Sequence, residues 1–388
     1  MNIRIPYEKL GNLDQYKFVS FILDQKTKTI FRYDFRRETD KDFFTSKKEF
    51  VSIPADIYEK CDSVIFFPFL SKNGEWGPRI LMWRNEEFIK INGGYEFLRN
   101  SANEPDLNKI KKWFDAARSI PVSKKIIGNK NLIYFTIFRS KEYVVLLNML
   151  LTTLYKQSFK DFELLFITDS NMCDEIKKLD IVEKFKCNYN LIDGVENAVD
   201  ASMQKLKVFE WEKIDEYKHI LFLDADVFVV GDVGSIFDDK KLEPNIFYGA
   251  THNHEHCLHK TIYHSLIDYT VNELQMFKDK NISAINAGQF FFVNTHTMQD
   301  HFKNINEFIK TWDGRYFFEQ SFINYYFNLL EMADTRTFIE EFQFISINEN
   351  ECDKIFGPNS VFVHFMGNAC NGIGKIDFVK KYYGQYVS

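Results

Sequence analysis

The chain has 388 residues, enough for two ordinary domains, and 45% of them are apolar. Its 49 basic and 55 acidic residues leave a net charge of -6, which gives no electrostatic case for nucleic-acid binding. Six cysteines (Cys61, Cys173, Cys187, Cys257, Cys352 and Cys370) form neither a CxxC pair nor a disulfide framework, which fits a reducing compartment.

Residues 1 to about 120 read as short strands separated by polar turns: Phe18–Leu23, Thr29–Asp34, Ser63–Phe67, Arg79–Trp83 and Glu87–Ile91. Asn73-Gly74 and Asn92-Gly93-Gly94 are turn signals, and a helix is expected around Leu107–Ala117. The start has no apolar segment of the kind a secretory signal needs. The longest apolar runs, such as Val64–Leu70, are too short to span a bilayer, so a soluble, cytoplasmic protein without a transmembrane segment is expected. The polar, Pro-bearing stretch Ser119–Lys125 marks the boundary between a β-rich accessory domain, residues 1–122, and a second domain, residues 123–388.

Beyond the boundary the rhythm changes. Strands at Asn131–Ile137, Phe162–Thr168, Cys187–Ile192 and His219–Leu223 alternate with helices at Tyr143–Leu154, up to about Lys186, and at Ala198–Ile214. That alternation predicts βαβ units and a mainly parallel, Rossmann-like α/β sheet, whose ligands sit beyond the carboxyl ends of the strands. The aromatic content, 41 Phe and 19 Tyr, suits either a Phe-rich core or surfaces on which sugars stack.

The fourth strand runs into Asp224-Ala225-Asp226. Residues two apart on an extended backbone point the same way, so both carboxylates can face one divalent cation. Two like charges at the end of an apolar run are costly without such compensation. An apolar strand followed by Asp-x-Asp also opens the haloacid dehalogenase phosphatases, where it belongs to the first strand of the domain.

Several motifs in order give the stretch from Asn131 to Lys375 its resemblance to the family 8 glycosyltransferases, of which glycogenin and the bacterial lipopolysaccharide galactosyltransferases are members. Thr136 followed by Tyr143 resembles the opening strand and the aromatic that stacks on uracil. Lys207-Val208-Phe209-Glu210-Trp211 resembles the Lys-Leu-x-x-Trp stretch whose lysine approaches the donor diphosphate, with Lys205 a near alternative. Asp224 and Asp226 match the metal-binding Asp-x-Asp, with Ala225 between them on the donor side. Asn286-Ala287-Gly288 resembles the turn that passes close to the donor sugar. Glu319-Gln320, with Asn324, resembles Asp-Gln-x-x-x-Asn, with Glu in place of Asp; Asp313 lies near enough to share its work. His364-Phe365-Met366-Gly367 resembles the His-Phe-x-Gly that supplies a third metal ligand. The family's following Lys-Pro-Trp is missing, and Lys375 is the displaced counterpart of its lysine.

The resemblance implies a GT-A fold and an enzyme that moves a hexose from a UDP-sugar to a hydroxyl of a glycan or protein, with retention of configuration. It assigns the metal to Asp224, Asp226 and His364, and the sugar to Asn286, Glu319 and Gln320. Imidazole beside two carboxylates favours Mn²⁺ and also admits Mg²⁺. A non-catalytic nucleotide-sugar-binding protein and a homodimer are both compatible with the sequence. Two features lie outside the family pattern: the histidines His252, His254, His256 and His259, and an apparent insertion between about His252 and Lys280 that would suit an acceptor-binding loop.

Overall fold

The computed structural model describes residues 104–251, 282–312, 318–346, 358–366, 369–370 and 373–387, together with the strands of the first 103 residues. The chain divides into two compact units, Met1–Ile110 with Ile267–Lys280, and Lys111–Leu266 with Asn281–Ser388. In the first unit, strands Thr29–Tyr33, Tyr16–Asp24, Ser63–Leu70, Ile80–Trp83 and Phe88–Lys90 pair in that order, every pair antiparallel. These are the five strands expected from the sequence. Asn2–Arg4 pairs separately with Phe50–Ser52.

The second unit is built on a seven-stranded sheet. Its strands are β1 (Lys130–Ile137), β2 (Glu163–Thr168), β3 (Cys187–Leu191), β4 (Tyr217–Leu223), β6 (Phe247–Ala250), β7 (Asn286–Val293) and β8 (Ala333–Asp334). The order is β3-β2-β1-β4-β7-β6-β8. The pairs β3/β2, β2/β1, β1/β4 and β6/β8 are parallel, while β7 is antiparallel to both its neighbours. The expected mainly parallel, Rossmann-like sheet is therefore present, with one reversed strand at its centre. A second sheet joins β5 (Val227–Val229), β10 (Phe362–Met366) and β9 (Phe342–Ser346).

Central strands of such a sheet are covered on both faces, so they read as continuous apolar runs. Phe290, Phe291 and Phe292 of β7 are all fully buried, as are Ile220 to Leu223 of β4. Phe222 stacks on Phe290 at 4.9 Å, and Phe247 on Phe327 at 4.3 Å. Most phenylalanines whose burial is described thus lie in the core. Among the described residues, Phe318 alone of the phenylalanines is a large exposed apolar side chain.

Helices close both faces. Helix α1 (Glu104–Arg118) is pinned by Trp113, whose ring lies parallel to Phe308 at 4.0 Å. Helix α2 (Lys141–Tyr155) starts at Ser140, whose hydroxyl accepts from the Glu142 amide, and buries Leu147, Leu150, Leu151 and Leu154. Helices α3 (Ser170–Lys177) and α4 (Ala198–Met203) are short, and each passes into a tighter 3₁₀ segment, Asp180–Lys184 and Gln204–Glu210. The continuous helix expected over Ala198–Ile214 is therefore only one part α-helical. Helices α5 (His296–Thr311), α6 (Phe318–Leu329) and α7 (Lys375–Val387) complete the unit. No helix among the described residues is long and apolar enough to cross a membrane.

At the amino ends of the strands Glu163 accepts from Lys186 (2.5 Å) and Tyr217 (2.7 Å), which stitches β2 to its surroundings. Between α5 and α6, His301 is buried with Nδ1 2.9 Å from the Tyr326 hydroxyl. Burial lowers the His301 imidazole from 6.5 to about 4. The unfolded chain takes up this proton near pH 6.5 and the folded chain only near 4. The stability it contributes is therefore complete above pH 6.5 and is lost as the pH falls from there towards 4. His301→Gln, which can still hydrogen-bond Tyr326, flattens that stretch of a stability-versus-pH curve by about 1–3 kcal/mol. Denaturant titrations from pH 7 to 4 measure it, and identical slopes for variant and wild type would contradict the assignment.

Candidate active site

The site grows from the carboxyl end of β4. Buried Leu223 is followed by Asp224, and the Val227 amide donates back to the Asp224 carbonyl at 3.2 Å. The two aspartates thus converge across a turn between β4 and β5, rather than along continuous extended strand as their spacing suggested. Because β7 runs opposite to β4, its first residues lie at the carboxyl edge of the sheet. There the Asp224 amide donates to the Gly288 carbonyl at 2.7 Å, bringing Asn286-Ala287-Gly288 alongside the aspartates.

His364 arrives from the second sheet. In the antiparallel pairing of β5 with β10 it stands opposite Val227, and the Phe365 amide donates to the Asp226 carbonyl at 3.0 Å. His364 Nε2 lies 3.2 Å from Asp226 Oδ1. Gly288 makes room for this ring, since a Cβ there would fall 2.2 Å from His364 Cε1. One ligand atom each from Asp224, Asp226 and His364 can be chosen within 4.8 Å of one another. Asp226 Oδ1 and His364 Nδ1 are buried without a hydrogen-bond partner among the described residues. Two carboxylates and an imidazole, with unsatisfied lone pairs between them, form a donor set that fits a divalent cation.

Two lysines compensate the charge. Lys205, on the 3₁₀ segment Gln204–Glu210, is buried and reaches Asp224 Oδ1 at 3.1 Å, Glu319 Oε1 at 2.5 Å and the Ala287 carbonyl at 3.3 Å. Burial works against its charge, but Asp224 and Glu319 outweigh burial and raise its pKa above the usual lysine value. Its backbone is fixed from below, where the buried Tyr134 hydroxyl donates to the Lys205 carbonyl at 2.9 Å. Lys375, the first residue of α7, contacts Asp226 Oδ2. Burial pushes the Asp224 carboxyl up against the pull of Lys205, and neighbouring Asp226 adds to the rise. Burial acts on Asp226 in the same sense, but Lys375 and His364 hold its carboxyl well below the usual range.

Helix α6 fixes the strand start opposite. Asn324 Oδ1 accepts from the Ile285 amide and Asn324 Nδ2 donates to the Ile285 carbonyl, both at 2.7 Å, as a neighbouring strand would. Gln320 Oε1 accepts from the Ala287 amide at 3.0 Å, while Asn286 Oδ1 caps the Gly288 amide at 2.9 Å. Thr136 is half-buried at the end of β1, and Tyr143 is half-exposed in the first turn of α2 on the same edge of the sheet.

The structure therefore brings together Asp224, Asp226, His364, Asn286, Ala287, Gly288, Glu319, Gln320 and Lys375. Lys205 rather than Lys207 pairs with the carboxylates; Lys207, two residues on, is only half-buried. Sequence reasoning missed the part played by Tyr134, and it placed Asn324 in a motif without giving it a partner. For Tyr134, a hydroxyl-bearing tyrosine inside the buried apolar run Leu132–Phe135 was the available signal. Asp313, Gly367 and the histidines at 252, 254, 256 and 259 lie outside the described residues. Asp224 closes the fourth strand of the sheet in chain order, not the first, unlike the haloacid dehalogenase pattern.

No family model and no curated protein matches the sequence. Among solved structures the chain is similar to the apo structure of the WbbM bifunctional glycosyltransferase, at 12% identity and a TM-score of 0.47, over 69% of this chain and 51% of that one. The chain thus spans about half the length of that protein, and what it does has to be read from the site's own residues.

The packing of His364 on Gly288 is testable. Gly288→Ala costs about 1–3 kcal/mol, because the added methyl and the imidazole need the same volume. The cost shrinks when His364→Ala is made in the same chain, a coupling that a double-mutant cycle of denaturant unfolding reads directly. Equal costs in the two backgrounds would mean that the ring does not rest there.

Proposed function

We propose that this chain is a metal-dependent glycosyltransferase that takes a hexose from a UDP-sugar and passes it, with retention of configuration, to a hydroxyl of a glycan or protein. The observation that carries this reading is the convergence of Asp224, Asp226 and His364, with Lys205 and Lys375 beside them, at the carboxyl edge of an α/β sheet. That edge is where such sheets take nucleotides. The residue pattern that resembles the family 8 enzymes supports the same reading.

In this assignment Asp224, Asp226 and His364 hold Mn²⁺ or Mg²⁺. The metal's chemistry, when bound, is to neutralise charge on the diphosphate as it leaves. The chain's own groups supply the rest. The half-exposed face of Tyr143 is offered to the base. Lys205 adds a fixed positive charge at the floor of the site, and a preorganised charge costs no rearrangement as the bond breaks. The same assignment gives the sugar to Asn286, Gln320 and Glu319 at the start of β7, with Glu319 acting through Lys205, which it holds. With Gln320 Oε1 already on the Ala287 amide, its contribution to a sugar comes from its amide nitrogen.

The experiment is a donor panel: purified protein with Mn²⁺ and each common UDP- and GDP-sugar, scored for nucleotide release with and without EDTA. EDTA-sensitive release of UDP from one sugar is the expected result. Asp226→Asn or Asp224→Asn then lowers turnover by about 10²-fold or more, the scale of losing a main electrostatic element. Phosphate release from simple monoesters without a sugar nucleotide would overturn this reading in favour of a phosphatase. Tight UDP binding without turnover on any acceptor would mark a binding protein.

A further inference from the structure

The two lysines of the site are held very differently. Lys205 is buried among three acceptors from three separate segments, Asp224, Glu319 and the Ala287 carbonyl, and its backbone is tied to Tyr134. Lys375 has a single described counter-ion, Asp226, and its side chain is 21% exposed. It is also the first residue of α7, so its charge sits at the positive end of the helix dipole, where a cation is unfavourable unless a carboxylate compensates it. Gly374 precedes it, exposed and with nothing near the position its Cβ would take, while its backbone pairs with Ala369 in a two-residue antiparallel ladder, so the helix start is held through the backbone and the Lys375 side chain through Asp226.

Asp226 is also the residue that a metal ion would share with His364. One of its oxygens, Oδ2, is taken by Lys375, while Oδ1 lies beside His364 Nε2 without a hydrogen bond. A divalent cation on Asp226 and the ammonium of Lys375 on the same carboxylate are like charges within contact range, and each weakens the other's hold.

We infer that Lys375 is an exchangeable counter-ion: it occupies Asp226 while no metal is bound, gives that carboxylate up when a divalent cation enters, and is then available to the diphosphate that the cation brings. This rests on the metal assignment proposed above and adds to it a regulation of the same site. Metal and Lys375 oppose each other without nucleotide, and a nucleoside diphosphate reverses the balance by offering the lysine a new partner. Lys205, with three acceptors, stays where it is.

The test is a Mn²⁺ titration of the full chain, with free Mn²⁺ read by electron paramagnetic resonance, with and without UDP. Lys375→Met keeps an unbranched side chain one atom shorter and removes its charge; Lys375→Arg keeps the charge. Without UDP, Lys375→Met binds Mn²⁺ about 10-fold more tightly than wild type, and Lys375→Arg binds it as wild type does. With UDP, the tightening of Mn²⁺ binding that wild type gains from the nucleotide is reduced in Lys375→Met. Unchanged or weaker Mn²⁺ binding by a Lys375→Met protein whose circular dichroism matches wild type overturns the exchange while leaving the metal site standing. If none of the three proteins binds Mn²⁺, the exchange falls together with the metal site.

Discussion

Three carboxylates crowd one edge of the sheet, and the surrounding structure is arranged around the need to keep them charged away from water. Asp226 and Glu319 are buried, and Asp224 is only partly open. An isolated carboxylate in such a place would take up a proton instead of staying ionised. Each has a cation within contact: Lys205 between Asp224 and Glu319, Lys375 on Asp226. Removing one member of a buried set of this kind costs more than the set contributes, because a charge is stranded. The 3₁₀ segment that carries Lys205, the tyrosine beneath it and the place of Lys375 at the start of α7 all serve that constraint.

The reversed strand gives the site its second wall. A fully parallel sheet presents only strand ends at its carboxyl edge. Inserting β7 antiparallel next to β4 puts a strand start there instead, and with it the Asn286-Ala287-Gly288 backbone. Such a start has amides and carbonyls with no ladder partner on one side. Asn324 and Gln320 answer part of this from α6, and Asn286 answers another part with its own side chain. The aligned amides of the motif are thereby held in place before any ligand arrives.

Much of this could be read in the residues. The strand rhythm located β1 to β4 to within a few residues: β1, β2 and β4 carry buried apolar runs, while the edge strand β3 is half-buried and broken by two asparagines. Asp224, Asp226 and His364 stood out as chemistry at the ends of such runs, and the structure brings them together. What the residues did not reveal depends on tertiary placement. On a helix of 3.6 residues per turn, Lys205 and Lys207 lie on nearly opposite faces, and the residue types alone do not say which face is turned inward. The tighter 3₁₀ winding of Gln204–Glu210 and the Tyr134 anchor decide which one faces inward. Similarly, a Gly before a strand reads as a turn, and only the arrival of His364 from a different sheet shows what the missing side chain makes room for.

The glutamate at 319 is best understood through the same charge network. Where the family pattern has Asp, the additional methylene lengthens the reach of the carboxylate by about one bond, and in this chain that reach is used to meet Lys205 at 2.5 Å. A carboxylate so engaged is buried with its ammonium partner and is turned away from solvent. Its effect on the sugar would then be indirect, through the lysine it holds and the strand start beside it. The longer side chain, the inward lysine and the buried Asp224 form one coupled unit. Shortening Glu319 to Asp would therefore disturb Lys205 and Asp224 together.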